Sequence, residues 1–282
     1  MHDMNPFTGG CHYSMACANY EQDCATCPQL EGTINPLYAA EILKIKNISG
    51  ISKSLHIVTP SQWLSECSKR SAVMRNFPHH VIPNGFPAKV FVRRDKVFSR
   101  NVFGLPVDKK IALFVAGDIH CRPKGYYLLK EALGKTGLPE DLILCAVGEK
   151  HLDIKTGNNI IELGPITDER LLNLVYSAAD VYITPSMADN LPNTVVESLL
   201  CGTPVIAFNI GGLANMLTHG VNGMFCSEIS TESLAKTISE FFLTQHAFVN
   251  ENISKAAHAV YDIEIVARQY IHLYKQILKQ DD

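Results

Sequence analysis

The chain has 282 residues and a formal net charge of −3 at pH 7, with 46% hydrophobic and 19% charged residues. This is an ordinary balance for a globular protein, and the length suits one large domain or two modest ones. No basic surface is indicated, which argues against a nucleic-acid partner, and no apolar run reaches the roughly 18 residues that a membrane span needs.

The start of the sequence has neither the basic residues nor the apolar stretch of a signal peptide. We therefore expect a cytoplasmic protein with at most peripheral contact at the inner face of the membrane.

The first hundred residues alternate helical and strand-like patterns, but less regularly than the rest. The pattern predicts a helix over 37–48, a strand over 55–59, a helix over 61–68 with Ser61 near its cap, and a strand over 80–83. The turn-rich Pro-Asn-Gly-Phe-Pro segment follows. We place a first domain at residues 1–97.

From about residue 100 onward, short apolar runs alternate with amphipathic stretches. Strands are predicted over 111–116, 142–147, 159–163, 180–184 and 204–208, and helices over 126–133, 168–179, 194–200 and 233–243. Such alternation indicates an α/β domain with a parallel sheet covered on both faces, at residues 98–262. A terminal helix over 263–282 is expected to pack on the first domain.

The second predicted helix of this domain has specific signals. Asp168 is a plausible N-cap, and Leu171, Leu172 and Val175 are expected to form its buried face.

The chemistry is concentrated in the segment 184–197, where a strand ends, a loop follows and a helix begins near Pro192. Asp189 lies in the loop and Glu197 in the helix, with seven residues between them. Ligands of parallel sheets bind at the carboxyl ends of the strands, so both carboxylates are candidates for one crevice. A loop aspartate and a solvated helix glutamate explain the spacing equally well.

The segment 180–208, together with Gly211 and Gly212, resembles the signature of the group 1 family of retaining glycosyltransferases. The resemblance implies the GT-B fold, with two Rossmann-like domains and parallel sheets. It implies that Glu197 binds the donor ribose, and that Asp189 with the following Asn190 and Leu191 holds the donor sugar. Asp189 stands where the family usually has glutamate. The resulting Asp-Asn-Leu-Pro-Asn sequence is similar to that of exopolysaccharide and colanic-acid enzymes.

A second match covers residues 117–125, where the family has a basic pair before a Lys-Gly step. By this resemblance Lys124, with Arg122 as the nearest arginine and Gly117 at the strand end, would contact the donor diphosphate. Cations there stabilise the departing diphosphate without a metal, so no cofactor is required for transfer. Without this context, Lys124 would be an exposed lysine at a helix start.

The first residues also fit the family, because His2-Asp3 corresponds to a His-Asp pair of relatives. His2 would lie close to the reacting sugar, so we count His2, Lys124 and Asp189 as catalytic candidates. A frayed terminus is the alternative. Relatives carry a further segment before this pair, so we expect an incomplete N-terminal, acceptor-side domain, and a chain that binds nucleoside diphosphate but turns over little.

The nine cysteines form two groups. Five are scattered through apolar segments and are expected to be buried: Cys67, Cys121, Cys145, Cys201 and Cys226. The other four, with spacing C-x5-C-x6-C-x2-C, are Cys11, Cys17, Cys24 and Cys27. They could close a structural Zn²⁺ site, with His12 as a spare ligand. Free structural cysteines have equal weight, and redox pairing is a third interpretation.

The resemblance therefore implies a hexosyltransferase-type enzyme that moves a sugar, with retention, from a UDP- or GDP-sugar to a polysaccharide or lipid-linked acceptor. A truncated, non-catalytic nucleotide-binding remnant or a partner-dependent subunit is the alternative. A sugar-nucleotide epimerase of the same fold is disfavoured by the Cys-Gly-Thr-Pro-Val turn that follows the carboxylate pair.

Overall fold

A computed structural model describes residues 1–31, 35, 37–47, 55–116, 122–148 and 159–279. The chain divides into two compact units. The first comprises Met1–Pro83 with Ala188–Leu191, and the second comprises Asn84–Met187 with Pro192–Asp282. The division falls within the turn-rich segment, so residues 84–97 pack with the second unit, whereas the sequence analysis places them in the first domain.

The first unit contains α1 (Tyr38–Lys46), β1 (Ile57–Thr59), α2 (Gln62–Arg70) and β2 (His79–Val81). The two strands pair in parallel. The predicted cap of α2 is confirmed, since the Ser61 side chain accepts a hydrogen bond from Leu64 N at 3.1 Å. Met4, Phe7 and Leu64 are almost fully buried in the core of this unit.

The second unit contains the larger sheet and its helices. Its elements in chain order are α3 (Lys96–Val102), β3 (Lys110–Ala116), α4 (Tyr126–Leu133), β4 (Leu142–Gly148), β5 (Ile160–Gly164), α5 (Glu169–Ala178), β6 (Val181–Thr184), α6 (Asn193–Leu200), β7 (Val205–Phe208), α7 (Leu213–Met216), β8 (Gly223–Cys226), α8 (Thr231–Thr244), α9 (Asn250–Tyr261) and α10 (Ile263–Leu278).

The sheet of the second unit has six strands in the order β5-β4-β3-β6-β7-β8, and all pairings are parallel. Every residue of β6 and β7 is buried, as both faces of the sheet are covered by helices. The predicted α/β architecture with parallel sheets is therefore confirmed. The order of connection reverses between β3 and β6, and such a reversal opens a crevice beyond the carboxyl ends of the two strands.

Backbone hydrogen bonds explain why residues 84–97 belong to the second unit. Val92 N donates to Asn173 Oδ1 at 3.0 Å, and Arg94 N donates to Ser177 Oγ at 3.2 Å. Phe86 bonds through its backbone to the junction of α9 and α10, where its N–H donates to Tyr261 O at 2.7 Å. The helix α10 is part of this unit as well.

The buried face of α5 differs from the predicted one. Asp168 does cap the helix, accepting from Arg170 N at 2.7 Å, and Val175 is buried. Leu171, however, is 41% exposed. The buried face includes the polar residues Asn173 and Ser177, whose side chains accept hydrogen bonds from the backbone of residues 92–94. A search for apolar periodicity cannot locate a buried face that contains polar residues.

The scattered cysteines behave as expected where the structure describes them. Cys67, Cys145, Cys201 and Cys226 are all buried. Cys121 lies outside the described residues.

Candidate functional site

Two loops meet at the reversal point of the six-stranded sheet. Residues Arg122–Lys124 form a 3-10 turn after β3, and Pro185 and Met187 follow β6. The Met187 N–H donates a hydrogen bond to the Pro123 carbonyl at 2.7 Å. The turn that carries the two predicted basic residues is thereby fixed at the end of β6.

Gly125 explains how closely the two loops approach. Its φ is +69°, in the left-handed region, and a Cβ at this position would lie 1.8 Å from the Pro185 carbonyl oxygen. Only glycine tolerates both conditions. The Lys-Gly step of the sequence is therefore a packing requirement that sets the position of the basic turn before α4 begins.

The basic side chains on this turn are exposed. The Arg122 guanidinium lies over the Tyr127 ring, 5.9 Å from its centroid. Tyr127 Oη in turn contacts Met187 Sδ at 3.3 Å. Arg122 and Lys124 therefore present positive charge beside the end of the sheet, where the amino end of α4 also favours anions. Gly117 lies outside the described residues.

Glu197 lies on α6 and is half-buried. Its Oε2 accepts a hydrogen bond from the Tyr176 hydroxyl on α5 at 2.9 Å. Burial raises the pKa of Glu197, and the bond from Tyr176 opposes that rise. This environment differs from that of a solvated helix glutamate, which the spacing alone left open, and a fixed, partly desolvated carboxylate is a strong acceptor for hydroxyl donors.

The segment Ala188–Leu191 belongs to the first unit, and its predicted site residues are buried there. Asp189 Oδ1 accepts from Asn190 N at 2.9 Å. The Asn190 side chain donates to His2 O at 2.8 Å and accepts from the Ser61 hydroxyl. Both ends of this side-chain amide therefore have partners within the protein, so its position is fixed by the first unit.

Tyr13 is a neighbour of Asp189 that the sequence did not single out. Burial raises the pKa of the Tyr13 hydroxyl, and the charge of Asp189 raises it further. The tyrosine therefore stays protonated at physiological pH and can act as a donor beside the carboxylate.

His2 is held near this segment by its main chain, since its carbonyl is the acceptor for Asn190. Its side chain is exposed. Of the predicted site residues, His2, Asp189, Asn190 and Leu191 belong to the first unit, whereas Arg122, Lys124 and Glu197 belong to the second.

Three residues around the site were missed at the level of sequence. Tyr13 lies in the matched start of the chain, Ser61 was noted only as a helix cap, and Tyr176 only as part of a helix. A buried tyrosine whose partner is a carboxylate cannot be identified before the two helices are packed, so no local signal could have found Tyr176.

The predicted metal ligands do not form a closed coordination shell in this structure. Within the described ranges, no three His, Cys, Asp or Glu side chains are placed to hold a metal ion. The spare ligand His12 instead pairs with Asp3, with 2.7 Å between Nδ1 and Oδ2. The four clustered cysteines are free thiols that line one cavity. Across the same described part of the chain, none of the helices has the length and apolarity to cross a bilayer.

Comparison with known proteins agrees with this architecture. The family model described as "Glycosyl transferases group 1" matches residues 95–259. A D-inositol 3-phosphate glycosyltransferase of Mycolicibacterium smegmatis is 32% identical over 192 residues, covering 64% of this chain and 43% of that protein. A putative teichuronic acid biosynthesis glycosyltransferase of Bacillus subtilis, TuaC, is 22% identical, covering 79% of this chain and 56% of that protein. The chain thus spans about half the length of these curated relatives.

Solved structures show the same fold. Sucrose-phosphate synthase from Thermosynechococcus elongatus superposes with a TM-score of 0.72 at 24% identity, covering 85% of this chain and 61% of that one. Anabaena Alr3699/HepE in complex with UDP-glucose has a TM-score of 0.67 at 19% identity, covering 84% and 68%. The predicted GT-B type of α/β fold is confirmed by these likenesses. With more than half of its residues matched by the family model, the chain belongs to the group 1 glycosyl transferases.

Proposed function

We propose that this protein binds a nucleotide sugar at the end of its six-stranded sheet and transfers the sugar, with retention, to a polysaccharide or lipid-linked acceptor. The observation that carries the proposal is the placement of the candidate groups. The basic turn Arg122–Lys124 and the half-buried Glu197 both follow the two strands, β3 and β6, at which the sheet reverses its order.

Lys124 and Arg122 are assigned to the donor diphosphate. When the bond between the anomeric carbon and the diphosphate oxygen breaks, the electron pair stays on that oxygen and negative charge develops there. Two cations preorganised on a turn that Gly125 fixes would stabilise this charge without reorganisation at the moment of reaction. Gly117, which lies outside the described residues, is assigned to the same diphosphate by the resemblance alone.

Glu197 is assigned to the ribose hydroxyls of the donor. A carboxylate accepts from two neighbouring hydroxyls at once, and the bond from Tyr176 Oη to Oε2 fixes its rotamer. Tyr176 is fully buried, so packing restricts its side chain. It is therefore a positioning residue, which acts on the donor through Glu197.

Asp189 is assigned to the transferred sugar, with Leu191 and the backbone of the loop beside it. Asn190 has a different role in this proposal, because its side-chain amide is occupied by His2 O and Ser61 Oγ. It positions the loop and does not reach the sugar with its side chain. His2 remains the candidate for contact with the reacting sugar.

The donor proposed first is a UDP-sugar. The structural neighbour Alr3699/HepE was solved in complex with UDP, with UDP and glucose, and with UDP-glucose. The acceptor hydroxyl would attack the anomeric carbon from the face that the diphosphate leaves, and its proton would pass to the departing diphosphate oxygen as the new bond forms. An exopolysaccharide-type acceptor, met at the inner face of the membrane, follows from the resemblance of the Asp-Asn-Leu-Pro-Asn loop.

The test is a panel of UDP- and GDP-sugars assayed by thermal shift, followed by mass spectrometry of glycan and lipid-linked acceptors. A melting temperature raised by one donor, with a glycosylated product of unchanged anomeric configuration by NMR, is the expected result. An inverted product contradicts retention. Donor binding without transfer by the chain, with or without an added partner, favours the nucleotide-binding alternative, and a panel without any shift contradicts the proposal.

A further inference from the structure

The four clustered cysteines line one cavity in the first unit. The cavity has a volume of about 260 Å³. Cys24 is buried, and the other three thiols are half-buried: Cys11, Cys17 and Cys27. The segments that carry them contain no regular helix or strand beyond single 3-10 turns. The fold thus brings the four cysteines of the C-x5-C-x6-C-x2-C spacing together at one cavity.

The thiols influence one another electrostatically. Cys11 interacts with Cys17 and Cys27, and Cys24 interacts with all three other thiols of the group. The four side chains are therefore close neighbours around the cavity.

A lysine faces this cluster from α1. Lys46 Nζ donates to Thr8 O at 3.1 Å and to the backbone carbonyl of Asn5. Its ammonium group interacts electrostatically with Cys11 and Cys24. A tetrathiolate zinc centre carries a net charge of about −2, so Lys46 is placed to offset part of the charge that the thiols gain when they bind a metal.

The backbone of the cysteine segment is strained in a way that requires an explanation. Among the described residues, Met15 and Cys24 are the non-glycine residues with positive φ, at 53° and 55°. The Cys24 N–H donates to Asn19 O at 3.0 Å, and the Asn19 N–H approaches Cys17 Sγ at 3.5 Å. Residues keep a strained backbone conformation only when surrounding interactions stabilise it. The hydrogen bonds of this segment alone stabilise it only modestly.

We propose that Cys11, Cys17, Cys24 and Cys27 bind one Zn²⁺ in a structural site that orders residues 11–30 and takes no part in sugar transfer. Their side chains are not at ligand distance from a common point in this structure. Zinc binding would require the four thiols to turn toward one point in the shared cavity, with Zn–S distances of about 2.3 Å, and to release their protons. His12 is not a ligand in this site, because it is exposed and paired with Asp3.

The test uses the full chain, purified without a histidine tag from zinc-supplemented cells. Elemental analysis should find about one zinc per chain, as a closed four-thiolate site requires. Replacing any one of the four cysteines by serine should weaken zinc binding by at least about tenfold. The matched control is Cys67→Ser, a buried cysteine of the same unit that does not line the cavity, and it should retain zinc at the wild-type level.

A second measurement decides the question if the serine variants do not fold. Wild-type protein exchanged into cobalt should show thiolate-to-metal charge-transfer absorption, and a chelator should abolish it. Four thiols should react with a thiol reagent only after the chelator is added. Protein that is metal-free and whose melting temperature ignores both zinc and chelator would overturn the proposal, as would peptide mapping that finds these cysteines in two disulfides.

Discussion

The Tyr176 hydroxyl donates a hydrogen bond to Glu197 Oε2 across 2.9 Å, joining α5 to α6 behind the candidate donor site. Tyr176 is fully buried, and burial raises its pKa, so it stays protonated as a donor. Burial also raises the pKa of Glu197, and the hydrogen bond from Tyr176 partly counteracts this rise. The hydrogen bond from Tyr176 orients the Glu197 carboxylate to accept hydrogen bonds from hydroxyl groups, although burial disfavours the negative charge of this carboxylate.

Removing this hydroxyl should have a pH-dependent effect on stability. In Tyr176→Phe the charged form of Glu197 loses its donor, so the pKa of Glu197 rises further. A carboxyl group whose pKa is raised on folding contributes stability below its unfolded pKa, which is lost as the pH rises through the folded value. The variant should therefore lose about 1–3 kcal/mol, and more at pH 8 than at pH 5.

Tyr182→Phe is the matched control for that experiment. Its hydroxyl donates to Thr194 Oγ1, a neutral partner, at 2.8 Å. Urea denaturation should show a loss for this variant that does not change between the two pH values. A loss that is equally pH-independent for Tyr176→Phe would mean that the hydroxyl does not support the charge of Glu197.

The raised pKa of Glu197 predicts a second effect, on the carboxylate itself. The contribution of Glu197 to the free energy of unfolding should fall as the pH rises above about 4.5, the usual pKa of glutamate. Glu197→Gln cannot titrate, so its melting temperature relative to wild type should become more favourable between pH 4.5 and 7.5. Glu251→Gln, an exposed change on α9, should leave the difference flat. A flat difference for both variants would show that Glu197 is not held in a desolvating environment.

Gly125 is expected to be intolerant of alanine. The new methyl group would meet the Pro185 carbonyl oxygen at 1.8 Å, so the basic turn or the end of β6 must shift. We expect Gly125→Ala to lose several-fold in donor affinity and at least about 2 kcal/mol of stability.

Gly104→Ala separates the two causes of that effect. Gly104 has a similar φ of +64°, but nothing lies within 4 Å of the added methyl group. It should cost only the backbone strain, about 1–2 kcal/mol, and leave donor affinity unchanged. Equal stability losses in a chemical denaturation series would show that packing against Pro185 is unimportant.

Lys124 should act on the diphosphate and not on the sugar. Lys124→Gln is expected to weaken binding of UDP and of a UDP-sugar by the same factor, about tenfold, and to lower the salt dependence of both. Lys236→Gln, an exposed lysine on α8 paired with Glu240, is the control and should change neither. Titration at two salt concentrations measures this, and a variant that keeps wild-type affinity for UDP removes Lys124 from the site.

Much of the fold could be predicted from the sequence because local signals and tertiary packing agree. The strands β3, β4, β6 and β7 are continuous apolar runs, as strands buried on both faces must be. The predicted helix α8 has apolar residues at helical spacing, and three of them are buried: Leu234, Ile238 and Phe241. The short strand β8 was missed, since its four residues, Gly-Met-Phe-Cys, show neither alternation nor a long apolar run.

The site was less predictable than the fold. The physical reason is the one that made the predicted buried face of α5 wrong. Polar groups that bond across elements leave no periodic signal, so Asn173, Ser177 and Tyr176 could not be assigned partners from the sequence. The position of Glu197 on a helix after β6 could be predicted, but its half-burial against Tyr176 could not.

The most direct test of the account is calorimetric titration of a UDP-sugar donor into the wild-type chain, Glu197→Gln, Asp189→Asn and Glu251→Gln. Losing a charged acceptor of two ribose hydroxyls should cost Glu197→Gln about 1.5–3 kcal/mol, or about 10- to 100-fold in affinity. Asp189→Asn should lose less, because the loop backbone shares the sugar, and Glu251→Gln should bind like wild type. Wild-type affinity in the Glu197 variant would contradict the proposed donor site.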